Sequence, residues 1–237
     1  MPISNGPWHV VADIFISYSK QHPQTTRDVA AYLESEGYSV WWDTDLKAGE
    51  RFGDVIDREL DAAKAVIVIW TARSVASDWV LAEAEHAHRD RKLIPLRARD
   101  LDARRIPKPY NILHTDVADD RAAILAAVKR LVGEPQPTTL ILPAEYRVYG
   151  VPIYVAGTFN NWLNAKSGHP KASVATLAKY RLKTVRSRLQ ITLSLPPGEY
   201  EFKFLTREFE WLPWVVASEH ERGEDTVGGP NFHIRVG

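Results

Sequence analysis

Several residue types and patterns are missing from this sequence, and each absence excludes a class of protein. The 237 residues include 0 Cys, so the chain has no disulfide framework, no thiolate metal ligand and no cysteine nucleophile. Neither sign of charge is in surplus, because Lys plus Arg and Asp plus Glu both total 30. The net charge therefore gives no indication of a nucleic-acid partner or of binding to an acidic membrane, and we expect neither.

Targeting segments and cofactor motifs are also missing. The N-terminus has no basic region, and Asp13 interrupts its apolar run, unlike a signal peptide. No apolar stretch approaches the roughly 20 residues of a membrane span, so we expect a cytoplasmic protein. No glycine-rich phosphate loop occurs, and His86 and His88 point to different faces of a helix. We therefore expect neither a zinc pair nor a bound cofactor.

Residues 11–133 alternate between short apolar runs and amphipathic segments. The predicted strands are "VADIFISY", "YSVWWD", "KAVIVIW", "KLIPLRA" and a short strand near "YNILHTD". The predicted helices are "TTRDVAAYLESEG", "FGDVIDRELDAA", "SDWVLAEAEHAHRDR" and "DRAAILAAVKRLVG". This order predicts a flavodoxin-like α/β domain with an open, parallel, five-stranded sheet that is covered on both faces.

Polar side chains follow the first three predicted strands. Ligands bind at the carboxyl ends of the strands in such sheets, so we expect these side chains to lie near one another. They are Ser17, Tyr18, Ser19 and Lys20 after the first strand, Asp43, Asp45 and Lys47 after the second, and Trp79 and Glu83 on the helix after the third. Asp43 and Asp45 also suit turns or helix caps. Trp79 and Glu83 are four residues apart, which makes them neighbours on a helix surface.

The motifs "DIFISYS", "GYSVWWDTDLKAGERF" and "AVIVIW" followed by "SDWVLAE" together resemble a TIR (Toll/interleukin-1 receptor) domain over residues 9–133. Many bacterial, plant and some animal TIR domains cleave NAD at its nicotinamide–ribose bond, and the resemblance here is to the bacterial NADase type. The resemblance implies that Glu83 is catalytic and that Trp79 packs against a ring of NAD, which is a substrate rather than a cofactor. It also implies that Ser19 and Lys20 approach the nicotinamide or phosphates, in place of an Arg pair found in many active members.

The resemblance further implies that the 45–52 loop, with Phe52 at its end, closes over the site, partly from a neighbouring subunit. Homotypic self-assembly and a setting in innate immunity or stress signalling follow from the same resemblance. A single carboxylate suits the chemistry, because nicotinamide leaves as a neutral ring and needs no general acid. The product is then either ADP-ribose, when water attacks the ribose, or a cyclic form, when a group of the same molecule attacks. A different class of function stays open, a non-catalytic TIR scaffold that acts by assembly.

The pattern changes after Gly133. Pro135 and Pro137 predict a linker over residues 134–147, and the remaining predicted elements are all strands. "VPIYVAG", "LQITLSL" and "EYEFKFL" alternate apolar and polar residues and are separated by turns such as "PPGE". This predicts a β-sandwich over residues 148–237.

The motifs "VAGTFNNW", "LPPGEYEFKFL", "EFEWLPW" and "GGPNFHIRV" resemble the glycogen-binding module of the AMP-activated kinase β subunit. That module is an immunoglobulin-like early-set sandwich of carbohydrate-binding module family 48. The resemblance places Trp162, Lys203, Trp211 and Asn231 at glucan-contacting positions. Strand alternation independently points Lys203 away from the core, on the opposite face from Phe202 and Phe204.

Alternatives stay open for this half of the chain. Trp162 could be a core residue, and such sandwiches also serve as spacers or protein-docking modules. The basic stretch "KYRLKTVRSR" could hold a phosphorylated ligand, although a solvated loop or a charge-protected edge strand is the simpler interpretation. A third hypothesis makes glycan localisation the primary function, with the TIR domain as a recruiting arm.

Overall fold

A computed structural model of the protein describes residues 12–19, 23–42, 52–143, 151–164, 173–206, 221–222 and 231–237. The chain divides into two compact units. Residues 11–134 form the first, here called the α/β unit, and residues 1–10 with 135–237 form the second, here called the β unit. Within the described residues, no helix has the length and apolar character needed to cross a membrane.

The α/β unit is built on a parallel sheet of five strands in the order β2-β1-β3-β4-β5, with helices between the strands. The strands are β1 (Ile14–Ser17), β2 (Val40–Trp41), β3 (Ala65–Trp70), β4 (Leu93–Arg97) and β5 (Asp116–Val117). The helices are α1 (Pro23–Ser35), α2 (Phe52–Ala62), α3 (Asp78–Arg89) and α4 (Arg121–Val132). The predicted five-stranded parallel sheet with flanking helices is confirmed.

Apolar side chains bury both faces of this sheet. All six residues of β3 are buried, which explains its continuous apolar run. One face belongs to a core cluster with Leu33 and Ile124, and the other to a cluster with Ile56 and Val80. Because helices occupy both faces, polar groups that meet a ligand can collect only at the strand ends.

Sequence signals at the helix ends correspond to the structure. The Ser77 hydroxyl caps α3 by accepting a bond from the Val80 amide, and Asp120 caps α4 by accepting one from the Ala123 amide at 3.1 Å. Gly37 follows α1 with φ 99°, a left-handed conformation that favours glycine. The chain can therefore turn from α1 into β2 without side-chain strain.

The fifth strand differs in position from its prediction. A short 3₁₀ helix occupies Tyr110–Ile112, and β5 begins only at Asp116. Tyr110 is buried, stacks on Trp70 with centroids 5.4 Å apart and donates a hydrogen bond to Glu85 at 3.0 Å. These contacts attach the segment to β3 and α3, which shifts the sheet edge further along the chain.

The described part of the β unit contains two antiparallel sheets. It also contains the short helix Val174–Lys179, so the prediction that every element here is a strand is wrong at this point. One sheet has the order β11-β12-β10-β7 and the other β6-β9-β8. The elements are β6 (Gln136–Ile141), β7 (Ile153–Gly157), α5 (Val174–Lys179), β8 (Lys183–Val185), β9 (Arg188–Leu195), β10 (Gly198–Thr206), β11 (Glu221–Arg222) and β12 (Phe232–Val236). One core cluster contains residues of both sheets, among them Leu140, Ile191, Phe202 and Phe232.

The stretch predicted as a linker contains β6, and the linker prediction is wrong there. Leu140 is completely buried, and β6 pairs with β9 along its length. Pro137 is tolerated because β6 is an edge strand, where a missing amide donor breaks no ladder. The two prolines suggested a linker, but the alternation of Thr138 and Leu140 is the pattern that the fold uses.

The basic stretch forms the edge of the smaller sheet. β8 is exposed along its length and pairs on one side with β9. Arg186 and Ser187 form the connecting turn, both with positive φ, 48° and 66°. This pattern is typical of a two-residue hairpin turn that usually contains Asn-Gly. The simpler interpretation of this stretch, a charged edge strand, is confirmed for Lys183–Val185.

Candidate functional site: a pocket at the strand ends of the α/β unit

A pocket of about 240 Å³ opens at the carboxyl end of β1. Its lining comes from β1 and the residues after it, from β2, from α2 and from the first turns of α3. The lining residues are Phe15, Ile16, Ser17, Tyr18, Ser19, Trp41, Ile56, Ser77, Trp79, Val80 and Glu83. This is the place at which open parallel sheets bind ligands.

Trp79 and Glu83 form a hydrogen-bonded pair on one side of this pocket. The Trp79 Nε1–H donates to Glu83 Oε1 at 2.6 Å. Glu83 is buried at 7% exposure, whereas Trp79 is 50% exposed. The indole therefore fixes one carboxylate oxygen and leaves much of its own ring uncovered, so the pair can offer both a flat surface and an oriented negative charge.

Three further predicted residues lie at this pocket. Ser17 is the last residue of β1, and its buried hydroxyl has no hydrogen-bond partner among the residues that the structure describes. Tyr18 packs edge-on against Trp42 with ring centroids 5.8 Å apart, and Ser19 lines the pocket directly after it. The structure thus brings Ser17, Tyr18, Ser19, Trp79 and Glu83 together, although they come from two distant segments of the chain.

Other predicted NAD-contacting residues are not placed here. Lys20, Asp43, Asp45 and Lys47 lie outside the described residues. Phe52 begins α2, whose residue Ile56 lines the pocket.

Sequence reasoning missed the apolar half of the lining. Phe15 and Trp41 stack with centroids 4.9 Å apart and border the pocket. Both were assigned only to strands, and no pattern in the sequence shows that two neighbouring strands present aromatic rings to one cavity. Ser77 also lines the pocket, and the Ser before "DWVLAE" was detectable as a helix cap.

Burial and nearby charges raise the pKa of three side chains in the α/β unit. Burial raises the pKa of Glu59 on α2 to about 7, against a smaller opposing effect of Arg58. Burial, with the nearby charge of Glu134, raises the pKa of Tyr38 to about 12. Burial and the hydrogen bond to Glu85 raise the pKa of Tyr110 to about 12. None of these three residues lines the pocket.

The predicted carbohydrate residues of the β unit are enclosed. Trp162 is 2% exposed, Lys203 3% and Asn231 1%, while Trp211 lies outside the described residues. Trp162 packs with Ala156 and other apolar residues of the outer face of the larger sheet. Alternation placed Lys203 on the face opposite Phe202, and it pairs there with Ala156, but it is buried rather than open to solvent. This burial favours the alternative that Trp162 is a core residue.

Asn231, Glu201 and His233 form a cluster of polar side chains on the same face, and their mutual contacts were not predicted from the sequence. Asn231 Nδ2 donates to Glu201 Oε2 at 2.8 Å, and His233 Nε2 lies 3.2 Å from Glu201 Oε1. Glu201 stands opposite His233 across β10 and β12, a pairing that requires the strand register. Among the residues that the structure describes, no three acidic or His side chains are grouped to hold a metal ion.

The α/β unit is thus an open, doubly wound α/β domain, a class of protein that binds small molecules in pockets at the carboxyl ends of its strands. The family described as "TIR domain" matches residues 14–132. The chain belongs to the TIR domain family. No curated protein matches the chain.

Solved structures show similarity over about half of the chain. A metazoan TIR-STING receptor from C. gigas in complex with 2',3'-cGAMP is 22% identical, with a TM-score of 0.43, over 54% of this chain and 41% of the receptor. A second structure of a metazoan TIR-STING receptor from C. gigas is 24% identical, with a TM-score of 0.44, over 56% of this chain and 44% of the receptor. The TIR domain of the Toll-related receptor TRR-2 from Hydra magnipapillata is 17% identical, with a TM-score of 0.43, over 51% of this chain and 97% of that domain. The chain therefore spans less than half of the TIR-STING receptor length.

Proposed function

We propose that the protein is an NAD glycohydrolase that cleaves the bond between nicotinamide and ribose. The observation that carries this proposal is the buried Glu83 carboxylate, held by the Trp79 indole at 2.6 Å within a pocket at the strand ends. A carboxylate fixed in this way can stabilise positive charge that develops on a bound sugar.

The reaction requires one carboxylate. When the ribose C1′–N bond breaks, its electron pair leaves with nicotinamide, which changes from a cationic to a neutral ring. Positive charge develops on the ribose, and Glu83 stabilises it through electrostatics or a ribose hydroxyl. Water then adds to C1′ and loses a proton, which gives ADP-ribose. Attack by a group of the same molecule instead of water would give a cyclic product.

The lining of the pocket suits the nicotinamide riboside part of NAD. Its volume of about 240 Å³ falls below the range for a whole drug-sized ligand, so it fits one end of the dinucleotide. Aromatic rings of Trp41 and Trp79 can contact a flat ring, and hydroxyls of Ser17, Ser19 and Ser77 are near for polar groups. We propose, on the resemblance to TIR domains, that Lys20, Asp43, Asp45 and Lys47 contact the rest of NAD.

Self-assembly is the second part of this proposal. By its resemblance to TIR domains, the site would be completed by the 45–52 loop of a neighbouring subunit. Activity would then rise more steeply than in proportion to protein concentration. The corresponding setting is immune or stress signalling.

The test compares two matched substitutions on the same helix. Glu83→Gln removes the charge in the pocket, whereas Glu85→Gln makes the same change at an exposed position two residues away. Purified full-length protein at high concentration is incubated with NAD, and nicotinamide, ADP-ribose and cyclic product are resolved by chromatography. We expect Glu83→Gln to lose roughly 10²–10³-fold in rate, as for removal of one stabilising group, while Glu85→Gln retains the rate.

Equal loss in both variants, or full activity in Glu83→Gln, would rule out the assigned role. If assembled wild-type protein does not consume NAD, the scaffold hypothesis replaces the enzyme. One observation favours that second candidate, because Trp79 is a half-exposed aromatic residue and such residues are enriched at protein interfaces. A scaffold would lose self-association in Trp79→Ala, measured by light scattering, and would keep it in Glu83→Gln.

For the β unit we propose an early-set, immunoglobulin-like sandwich of the glucan-binding type. Support comes from the two antiparallel sheets around a shared core and from the sequence motifs that resemble the glycogen-binding module. Cosedimentation with glycogen tests it, and Trp162→Ala combined with Trp211→Ala should abolish binding. Full binding by that folded double variant, or none by the wild type, would exclude this site.

A further inference from the structure

Every charged side chain between residues 146 and 198 is basic. The basic residues are Arg147, Lys166, Lys171, Lys179, Arg181, Lys183, Arg186 and Arg188. The acidic residues that balance the total charge of the chain lie elsewhere in the sequence. Net charge therefore hides a strongly cationic segment within the β unit.

The β8–β9 hairpin carries three of the described cations, Lys183, Arg186 and Arg188, whereas Lys179 ends α5 and Arg181 pairs with Tyr154 of the larger sheet. Lys179, Arg181, Lys183, Arg186 and Arg188 are all exposed. Lys183 stands opposite Gln190 and Val185 opposite Arg188, so both cations lie on the outer face of the smaller sheet. Leu189 and Ile191 alternate to the inner face, where they pack in or against the shared core.

Neutral hydrogen-bonding side chains occupy the rest of the outer face. Thr139 on β6 and Thr192 on β9 are exposed and joined by a hydrogen bond of 2.9 Å. Ser194 and Gln190 continue the row along β9. We call this surface, formed by the outer faces of β6, β8 and β9 with the Arg186 turn, the cationic face.

Several cations of the α/β unit are held in ion pairs, unlike these. Arg99 is paired with Asp119 at 2.7 Å and Lys64 with Asp13 at 2.8 Å. Across the described residues, Arg181, Lys183, Arg186 and Arg188 form no ion pair. Like charges at neighbouring positions of a sheet repel, so this arrangement is unfavourable for the isolated protein.

The turn adds a second unfavourable feature. Arg186 has φ 48°, a left-handed conformation that costs about 1–2 kcal/mol for a residue with a side chain. An Asn-Gly turn would avoid that cost. Protection of an edge against aggregation accounts for Lys183 on β8, but not for Arg188 on the middle strand or for an Arg at a strained turn.

We propose that the cationic face binds the phosphate backbone of double-stranded nucleic acid without reading its sequence. Arginine, lysine, hydroxyl and amide groups are the side chains that contact phosphate oxygens and sugars. No aromatic residue lies on the outer faces of the described strands β6, β8 and β9, which disfavours single-stranded nucleic acid, whose bases stack on aromatic rings.

The same positive charge would also attract an acidic membrane surface, which is the alternative partner. Interfacial binding usually adds large apolar or aromatic side chains to the cations. On the described strands of the cationic face, the larger apolar side chains are Val185 and the partly buried Ile141. This composition favours the duplex, and vesicles enter the test as an opposing outcome.

The experiment measures fluorescence anisotropy of a labelled mixed-sequence 20-base-pair DNA with the full chain. We compare wild type, Lys183→Glu with Arg188→Glu, and the matched control Arg105→Glu with Arg130→Glu, exposed cations of the α/β unit with no ion pair among the described residues. Both double variants change the net charge by the same amount. With about three phosphate contacts, one for each cation of the face, wild-type affinity should fall roughly 40-fold between 50 and 200 mM salt. The hairpin variant should bind at least roughly tenfold more weakly, and the control should bind like wild type.

Absence of duplex binding at 50 mM salt would overturn the proposal, as would equal weakening in both double variants. Binding to vesicles with 30% phosphatidylserine, but not to duplex, would replace it with the membrane alternative. Circular dichroism checks that the variants fold, and Lys183→Gln with Arg188→Gln repeats the test without charge reversal. None of these outcomes depends on NAD cleavage.

Discussion

The two units of this protein offer opposite places for polar chemistry. In the α/β unit both faces of the parallel sheet are buried, and the polar side chains of the pocket lie at the end of β1 and on the first turns of α3. In the β unit each sheet gives one face to a shared core. The other face of the smaller sheet is free to carry Lys183, Arg188 and Thr192.

The difference teaches where a binding surface can arise in each architecture. A sheet covered by helices concentrates function at the strand ends, where distant segments converge into a small pocket. A sheet with one solvated face can present a broad and repetitive surface. The first geometry suits a small molecule with one reactive bond, and the second suits an extended partner.

Loss of the shared core should have the largest effect. Phe202 is completely buried and packs between Phe204 and Phe232, with ring centroids 5.6 and 5.4 Å away. Phe202→Ala should lower the free energy of unfolding of the β unit by about 3–5 kcal/mol, because it leaves a cavity. Urea denaturation with hydrogen exchange of β10 amides measures this. Val185→Ala, exposed on β8, is the control, and similar losses in both would contradict a single shared core.

The indole that fixes Glu83 comes next. Trp79→Phe keeps an aromatic ring but removes the donor to Glu83. If the proposed NADase activity is present, kcat should fall roughly 10–100-fold, the worth of a hydrogen bond to a charged group, about 1.5–3 kcal/mol. The melting temperature should change little, since the ring is 50% exposed. An unchanged kcat would show that the pair serves packing alone.

A buried carboxyl group, that of Glu59, makes the stability of the α/β unit depend on pH. Burial raises the pKa of Glu59 to about 7, above the ordinary value of 4.5 that we expect in the unfolded chain. The folded protein therefore holds a proton that the unfolded chain releases, and stability falls as pH rises from about 4.5 to about 7. With solvent screening, Glu59→Gln should recover about 1–2 kcal/mol at pH 8 and little at pH 4. Urea titrations at both pH values measure it, and an equal gain at pH 4 would point to another cause.

The smallest effect concerns the strained turn of the cationic face. Arg186→Asn with Ser187→Gly should stabilise the β unit by about 1 kcal/mol, because both positions have positive φ. Thermal unfolding measures the gain. The same variant should weaken duplex binding if Arg186 contacts phosphate. A loss of stability would mean that the side chains of Arg186 and Ser187 make contacts within the protein that outweigh the cost of the turn.

Most of the α/β unit was predictable because its elements are encoded locally. The buried run of β3, the glycine after α1 and the caps of α3 and α4 are each visible in a few neighbouring residues. The Trp79–Glu83 pair follows from helical spacing alone, since residues four apart are neighbours. Prediction was less successful at residues 110–116, where Tyr110 forms a long-range stack with Trp70.

The β unit was less predictable because pairing between strands is not local. Prolines suggested a linker at residues 134–147, yet edge pairing with β9 makes Gln136–Ile141 a strand. Alternation assigned Lys203 to the correct face but not its burial, since burial depends on what covers that face. The cationic face depends on register as well, which brings Arg188 opposite Val185.

By itself, the sequence determined the alternation of strands and helices, the TIR family and the helical pair at the candidate site. Those features depend on residues close together in the chain, whose period and caps are fixed by backbone geometry. Only the tertiary structure decided that Phe15 and Trp41 share a pocket with Glu83 and that Trp162 is enclosed. It also decided that cations with no ion pair among the described residues lie on one exposed sheet face, because packing and register join residues far apart in sequence.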